Sequence, residues 1–328
     1  VITRRGFVMA AAGAIVAVPR TIGAQPAGKT YRIGIVEPVS APLNAANLDA
    51  FRRGLRELGY VEGQNIVLEY RSADGHQDKF PELATELVRL NVDVILTTGT
   101  PAALAVKRAT ATIPVVIAGA GDPVGSGIVA SLARPGGNVT GVSAFNVEIY
   151  AKRVELLKEL VPKLARIAGL FNMGNPVLPR QWKEVERAAQ ALGIRPQLLD
   201  VRRPEDLGRA FEAATRQRAG ALVVALDGLT QANRRAIVDL AAKHRLPAIY
   251  GAEEFVRAGG LMSYATNRPD LYYRVASYVD KILKGAKPGD LPVEQPTKFE
   301  LLINLKAARV IELTIPKPLL ARADDVIE

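Results

Sequence analysis

The chain has no cysteine among its 328 residues. That excludes a disulfide framework, a thiolate nucleophile, cysteine-based metal sites and a lipid anchor on an N-terminal cysteine. Histidine is nearly missing too. His76 and His244 stand far apart, which leaves little from which to build a metal site or a histidine acid–base centre. Aromatic residues make up 5%, so the core falls to Ala, Val, Leu and Ile. No block of five or more like charges occurs, and Arg202-Arg203 and Arg234-Arg235 are only pairs. The formal charge of +10 therefore reads as a basic, solvated surface rather than a nucleic-acid tail. Residues 119–125 (GAGDPVG) are glycine-rich, but Pro123 and the spacing do not fit a dinucleotide fingerprint.

The first residues carry an address. Thr3-Arg4-Arg5-Gly6-Phe7 leads into a twelve-residue apolar run, 7–18, that is free of charge and ends at Pro19-Arg20. The run is shorter than the ~20 residues a membrane-spanning helix needs. A basic start followed by a short apolar stretch is the pattern of a signal peptide, and the paired arginines give it a twin-arginine character. Residues 1–24 are expected to be removed after Ala24, leaving a soluble protein in the periplasm.

Beyond the leader, two periods alternate. Residues 31–37 (YRIGIVE) are short, apolar and β-branched, hence a strand. Residues 48–58 (LDAFRRGLREL) place Leu48, Phe51, Leu55 and Leu58 at helical spacing, and Gly59 closes the helix. The pattern predicts further strands at 65–70, 93–97, 114–118 and 139–143, with helices at 80–90 and 102–109. It restarts with strands at 165–171, 197–201, 221–226, 248–251 and 260–264. Helices are expected near 180–192, 205–218 and 230–244. Such alternation means βαβ units and parallel sheets, here two Rossmann-like α/β lobes. Residues 148–160 read as a helix, so no flexible tether separates the lobes, and a shared cleft follows.

Ligands of parallel sheets sit beyond the carboxyl ends of the strands. The polar residues there include Ser40 after the first strand, Thr98 and Thr100 after the third, and Asp122 after the fourth. Asn146, Asn172, Asn175, Asp227, Glu253 and Asn267 complete the set from the second half. Thr100-Pro101 reads as an N-cap with proline at the first helical position, a start that would offer an anion free N–H groups. Asp122, Asp227 and Glu253 fit either contacts to a ligand's ammonium or hydroxyl groups or simple helix caps. Phe171, Tyr250 and Tyr264 fit either the flanks of a flat ligand or the core. His76 lies in a turn and His244 at a helix end, and neither has a catalytic partner set.

Several long strings carry a resemblance. They are 54–65 (GLRELGYVEGQN), 100–103 (TPAA), 121–124 (GDPV), 134–142 (RPGGNVTGV), 278–285 (YVDKILKG) and 291–304 (LPVEQPTKFELLIN). Together they resemble the substrate-binding proteins of ABC importers, a family whose better-known members are tied to tryptophan or tyrosine uptake. The resemblance implies a fold like that of type I periplasmic binding proteins, with the chain crossing between lobes near 143–147, 262–266 and 293–299. One lobe would hold 30–143 plus 265–293, the other 144–264 plus 297–328. The implied contacts are the loop around Ser40, the 98–102 turn with Thr98, Thr100 and Ala102, then Asp122, Asn146, Phe171, Asn172, Asp227, Glu253 and Asn267. Asn267 stands where amino-acid binders of the family tend to be acidic, which widens the ligand class to aromatic acids and similar small metabolites.

The expected function is therefore capture of a small molecule by hinge closure and its delivery to an inner-membrane ABC permease. No catalysis, metal, cofactor or nucleic acid is expected, and the protein is expected to be a monomer. The alternatives are an extracytoplasmic ligand sensor and an enzyme on the same α/β scaffold. A repressor of this fold would need a DNA-binding headpiece where the leader stands.

Overall fold

The computed structural model describes residues 29–144 and 148–328. The leader at 1–24 and the candidate Asn146 lie outside the described residues.

The first half runs β1 (Tyr31–Glu37), α1 (Ala45–Glu57), β2 (Ile66–Ser72), α2 (Phe80–Arg89), β3 (Val94–Thr97) and α3 (Thr100–Ala109). It closes with β4 (Val115–Ala120) and β5 (Val139–Ser143). These strands form one parallel sheet in the order β2-β1-β3-β4-β5. Central strands β3 and β4 are buried along their whole length, as expected where helices cover both faces of a parallel sheet.

The second half runs α4 (Glu148–Leu160), β6 (Arg166–Phe171), α5 (Leu178–Ala191), β7 (Arg195–Asp200), α6 (Asp206–Arg216) and β8 (Ala221–Val224). Then come α7 (Gly228–Ala232), α8 (Arg234–Lys243), β9 (Ala248–Tyr250), α9 (Glu253–Arg257) and β10 (Met262–Ala265). The chain ends with α10 (Arg268–Leu283), β11 (Glu300–Asn304), α11 (Leu305–Val310), α12 (Lys317–Leu320) and β12 (Asp325–Ile327). The second sheet has the order β12-β11-β10-β9-β8-β6-β7. It is parallel except where β11 pairs antiparallel with β10.

Each sheet carries an apolar core on both faces. Phe51 and Leu55 of α1 meet Tyr272 and Val275 of α10 on one face of the first sheet, while Phe80, Leu87 and Val106 cover the other. In the second lobe, Leu157, Phe171 and Trp182 fill one face, and Phe211, Ile237 and Tyr250 fill the other. Helix α10 follows a strand of the second sheet yet packs on the first. The chain thus changes lobe between Ala265 and Arg268. It also changes lobe between β5 and α4, and again after Glu294, which is bridged to Val142 beside β5.

The structure departs from the sequence reading in two places. The helix expected over 230–244 is two helices broken at Asn233, because Asp227 and Thr230 form a capping box that starts α7 early. Elements α9 to α12, β11 and β12 are too short or too polar at their starts to stand out by periodicity. Among the described residues no helix is long and apolar enough to cross a membrane.

Candidate functional site

The carboxyl ends of β1, β3 and β4 face those of β8 and β9 across a cavity between the lobes. Counted with its open mouth, the void is about 870 Å³. Pro38, Thr98, Thr100 and Gly121 line it from the first lobe, and Asn175, Asp227 and Gly251 from the second. Tyr150 and Arg153 of α4 and Arg268 of α10 line it where the chain passes between the lobes.

Thr98 and Thr100 both reach the cavity, but Thr100 is not the cap that its sequence suggests. Gly99 holds the N-cap position with φ +84°, and Thr100 is already the first helical residue. A positive φ suits glycine, which has no Cβ to clash. With the cap filled by Gly99, the Thr100 hydroxyl donates instead to Gly121 O at 2.7 Å, tying β3 to β4. The start of α3 still points its N-terminal dipole at the cavity, an arrangement that favours anions.

Asp227 is the hub of the second wall. Its Oδ1 accepts from Leu229 N at 3.0 Å and Asn172 Nδ2 at 3.0 Å. Its Oδ2 accepts from Asn175 Nδ2 at 2.8 Å and from Gln77 Nε2 at 2.8 Å. A carboxylate offers about four lone-pair positions, so the protein fills them all. Asp227 is therefore an organising residue in this geometry, and Gln77 brings the first lobe to it.

A buried polar group lies on the hinge side of the cavity. Glu37 ends β1 fully buried. Its Oε1 accepts from Tyr272 Oη at 2.7 Å and Thr98 Oγ1 at 3.1 Å, while Oε2 has no partner among the described residues. Burial pushes its carboxyl up to about 7, against the pull of the Tyr272 hydrogen bond and the Arg268 charge. Arg268 donates from Nε to Glu254 Oε1 at 3.0 Å. Burial works against the Arg268 charge, but Glu254, Tyr272 and Glu37 together hold its affinity for the proton above the ordinary value. Arg153, enclosed 4.8 Å from the Tyr150 ring, donates from Nε to Tyr264 O at 2.9 Å. Burial lowers its proton affinity.

The lobes touch around this void. Besides the Gln77–Asp227 bond, Arg180 of α5 forms an ion pair with Asp122, and Asn47 Nδ2 lies 3.4 Å from Glu254 Oε1. Gly228 sits so close to Pro38 that an added Cβ would fall 2.9 Å from the proline Cβ. These contacts define a closed arrangement.

Of the residues chosen from sequence, Thr98, Thr100 and Asp227 come together on the cavity walls. Asn172 lies one step behind, holding Asp227. Asp122, at φ +42°, accepts from Gly125 N at 2.8 Å and pairs with Arg180 at the rim. Ser40 lies outside the cavity, and its carbonyl accepts from Asn44 N. Ala102 and Phe171 are fully enclosed in the two cores, with the Phe171 ring 5.3 Å from Trp182 and 6.0 Å from Tyr150. An apolar residue at a strand end gains more from burial than from the cleft. Glu253 pairs with Arg257 on its own helix at 2.8 Å. Asn267 caps α10 by accepting from Asp270 N at 3.0 Å, and its amide donates to Glu300 at 3.1 Å.

The sequence reading overlooked Gln77, Tyr150, Arg153, Gln181 and Arg268. Only Gln77 sits in a loop that turn chemistry marks; the others are on helices, where polar residues ordinarily face solvent. Residues 23–30 (GAQPAGKT) spell the phosphate-loop pattern, but they lead into a strand, not a helix, and Lys29 pairs with Asp93 at 2.7 Å. A phosphate loop needs a strand before it and a helix after it. Among the described residues no group of three or more His, Asp or Glu could hold a metal ion.

Comparison with known proteins agrees with this architecture. The chain is 29% identical to a conserved domain protein from Vibrio cholerae over 91% of this chain and 100% of that one, with a TM-score of 0.85. It is 29% identical, with a TM-score of 0.84, to an ABC domain from Streptococcus pneumonia solved in complex with L-Trp, again over 91% and 100% of the two chains. It is 26% identical to the tyrosine-binding protein of Clostridioides difficile over 87% of this chain and 82% of that protein. The family profile described as ABC transporter substrate binding protein matches residues 32–327, and the chain belongs to that family.

Proposed function

We propose that this chain is the exported binding component of an ABC importer, which encloses a small polar molecule, an amino acid or aromatic acid, between its lobes and delivers it to a permease. The observation that carries the reading is the Gln77–Asp227 bond. It joins the two walls of the cavity directly, so occupancy of the cavity and closure of the lobes are coupled. The chain's crossings near Ser143, Thr266 and Glu294 serve as the hinge. Relatives named for tryptophan and tyrosine favour an aromatic amino acid as the first ligand to try. The pair Arg4-Arg5 and the apolar run that follows support export to the periplasm by a twin-arginine route.

A thermal-shift screen of the chain from Gln25 onward tests this, with amino acids, aromatic acids, nucleobases and sugars as probes. A ligand that binds the folded state alone adds about 2.7 kcal/mol of stability at a hundredfold excess over its Kd. The expected result is a clear shift with one chemical class and recovery of that compound unchanged. Turnover of the hit would refute the binding-protein reading. The export route is checked by replacing Arg4 and Arg5 with lysine, which should leave the protein in the cytoplasmic fraction.

A further inference from the structure

We propose that Arg268 is the receptor for a carboxylate on the ligand, so that the cavity selects small molecules bearing that group; the inference rests on the binding-protein reading above.

Among the described residues, the acidic and basic side chains that line the cavity are Arg153, Arg268 and Asp227. Asp227 has its acceptor positions filled by four protein donors. Arg268 is paired with Glu254 outside the lining, and the acceptor positions of Asp227 are taken, so the charged groups of the wall with unfilled hydrogen-bonding positions are guanidinium donors.

The two arginines are not equivalent. Arg153 rests on the Tyr150 ring and on the Tyr264 carbonyl. The Arg268 side chain is 6% exposed, and its Nε, Nη1 and Nη2 all carry donors. Among the described residues Nε alone has an acceptor, and Nη2 is enclosed without one. A buried guanidinium with open donors carries a desolvation cost that a protein ordinarily avoids. Among the described residues, Arg268 alone both lines the cavity and holds an enclosed, unpartnered side-chain atom. Glu254 grips one edge of the guanidinium and fixes its plane, which leaves the remaining donors for a planar, two-oxygen partner. Glu37, the other acid near this arginine, is occupied at Oε1 by Thr98 and Tyr272, while its Oε2 and Glu254 Oε2 make no hydrogen bond to Arg268 among the described residues. The start of α3 at Thr100 also lines the void and adds its dipole in the same sense.

The experiment uses the chain from Gln25 onward and paired probes: L-tryptophan with L-tryptophan amide, L-tyrosine with L-tyrosine amide, and indole-3-propionate with its amide. Neutral sugars and nucleosides form a second panel. Affinities are read by calorimetry on wild type, Arg268→Lys and the double variant Arg268→Met/Glu254→Gln, which removes both charges of the pair together. Wild type is expected to prefer the acid of at least one pair by about 100-fold or more. Arg268→Lys should lose about tenfold for that acid and little for its amide, since the charge stays and the fork is lost. In the double variant the acid-to-amide ratio should fall below about five. An amide bound as tightly as its acid by wild type, or a ratio that survives in either variant, overturns the assignment. If wild type takes a neutral sugar or nucleoside and no acid, the Arg268 proposal falls while the binding-protein reading stands. If nothing in either panel binds, both fall.

Discussion

Gln77 donates through Nε2 to Asp227 Oδ2 at 2.8 Å, and the two residues belong to opposite lobes. Gln77 follows β2 in the first lobe; Asp227 caps α7 in the second. The other donors to Asp227, which are Leu229, Asn172 and Asn175, come from its own lobe, so under the proposed closure Gln77 is the donor that would come and go.

Gln77→Ala should therefore weaken ligand binding by about tenfold, the worth of one hydrogen bond to a charged acceptor. The melting temperature without ligand should move little, because each lobe keeps its own core. Calorimetry with the best compound from the thermal screen checks this, and equal affinity in the two proteins would remove Gln77 from the closure mechanism.

Gly228 gives a steric test of the same motion. A side chain there meets Pro38, with the first added carbon 2.9 Å from the proline Cβ. Gly228→Val should hold the lobes apart while leaving both cores intact. Small-angle scattering should show wild type contracting on ligand addition and the variant keeping its radius. Affinity should fall by more than about tenfold, since the closed state alone buries the ligand from both sides. Normal contraction in the variant would show that Pro38 yields.

Glu37 makes stability depend on pH. Its carboxyl titrates near 4.5 when unfolded and is pushed up to about 7 by burial when folded. The folded state thus binds the proton more tightly, and stability falls as pH rises through that window. The contribution is fully present below pH 4.5 and lost by about pH 7, with a span of about 3 kcal/mol. Tyr272, Thr98 and Arg268 are the groups that moderate it. Glu37→Gln should flatten the dependence and raise stability at pH 8. Urea titrations at pH 5 and pH 8 on both proteins provide the comparison; equal slopes would show that Glu37 stays ionised in the fold.

Phe171 separates core from cleft. Its ring lies among Tyr150, Trp182 and the apolar face of the second sheet. Phe171→Ala should cost about 3–5 kcal/mol of stability. Where the variant remains folded, its ligand affinity should stay within about threefold of wild type, because the residue does not reach the void. A large loss of affinity with unchanged stability would place the ring against the ligand instead.

Much of the architecture was readable from residue order. The runs 31–37 and 139–143 coincide with β1 and β5, and 148–160 with α4. Their periodicity follows from local sterics and from burial on one or both faces, which a sequence displays directly. The strand ends Thr98, Thr100 and Asp227 could be placed at the cleft for the same reason. Phe171 and Ala102 could not be sorted, because a strand end or helix start looks alike whether it faces a void or a core.

Arg268 and Tyr272 show the limit most clearly. They lie on α10, which leaves the second sheet at Ala265 and packs against α1 in the first lobe. In sequence this stretch opens on Arg268-Pro269-Asp270 and does not stand out as a helix by periodicity. Only the return of the chain across the hinge sets them beside Glu37, which stands 235 positions away from Tyr272. The amino-acid order by itself determined the two parallel sheets, the helices that cover them and the polar character of the strand ends, since these depend on neighbours a few residues apart. The tertiary structure alone decided which charges are buried together and which wall each belongs to, because that balance depends on elements the chain brings into contact only when the lobes meet.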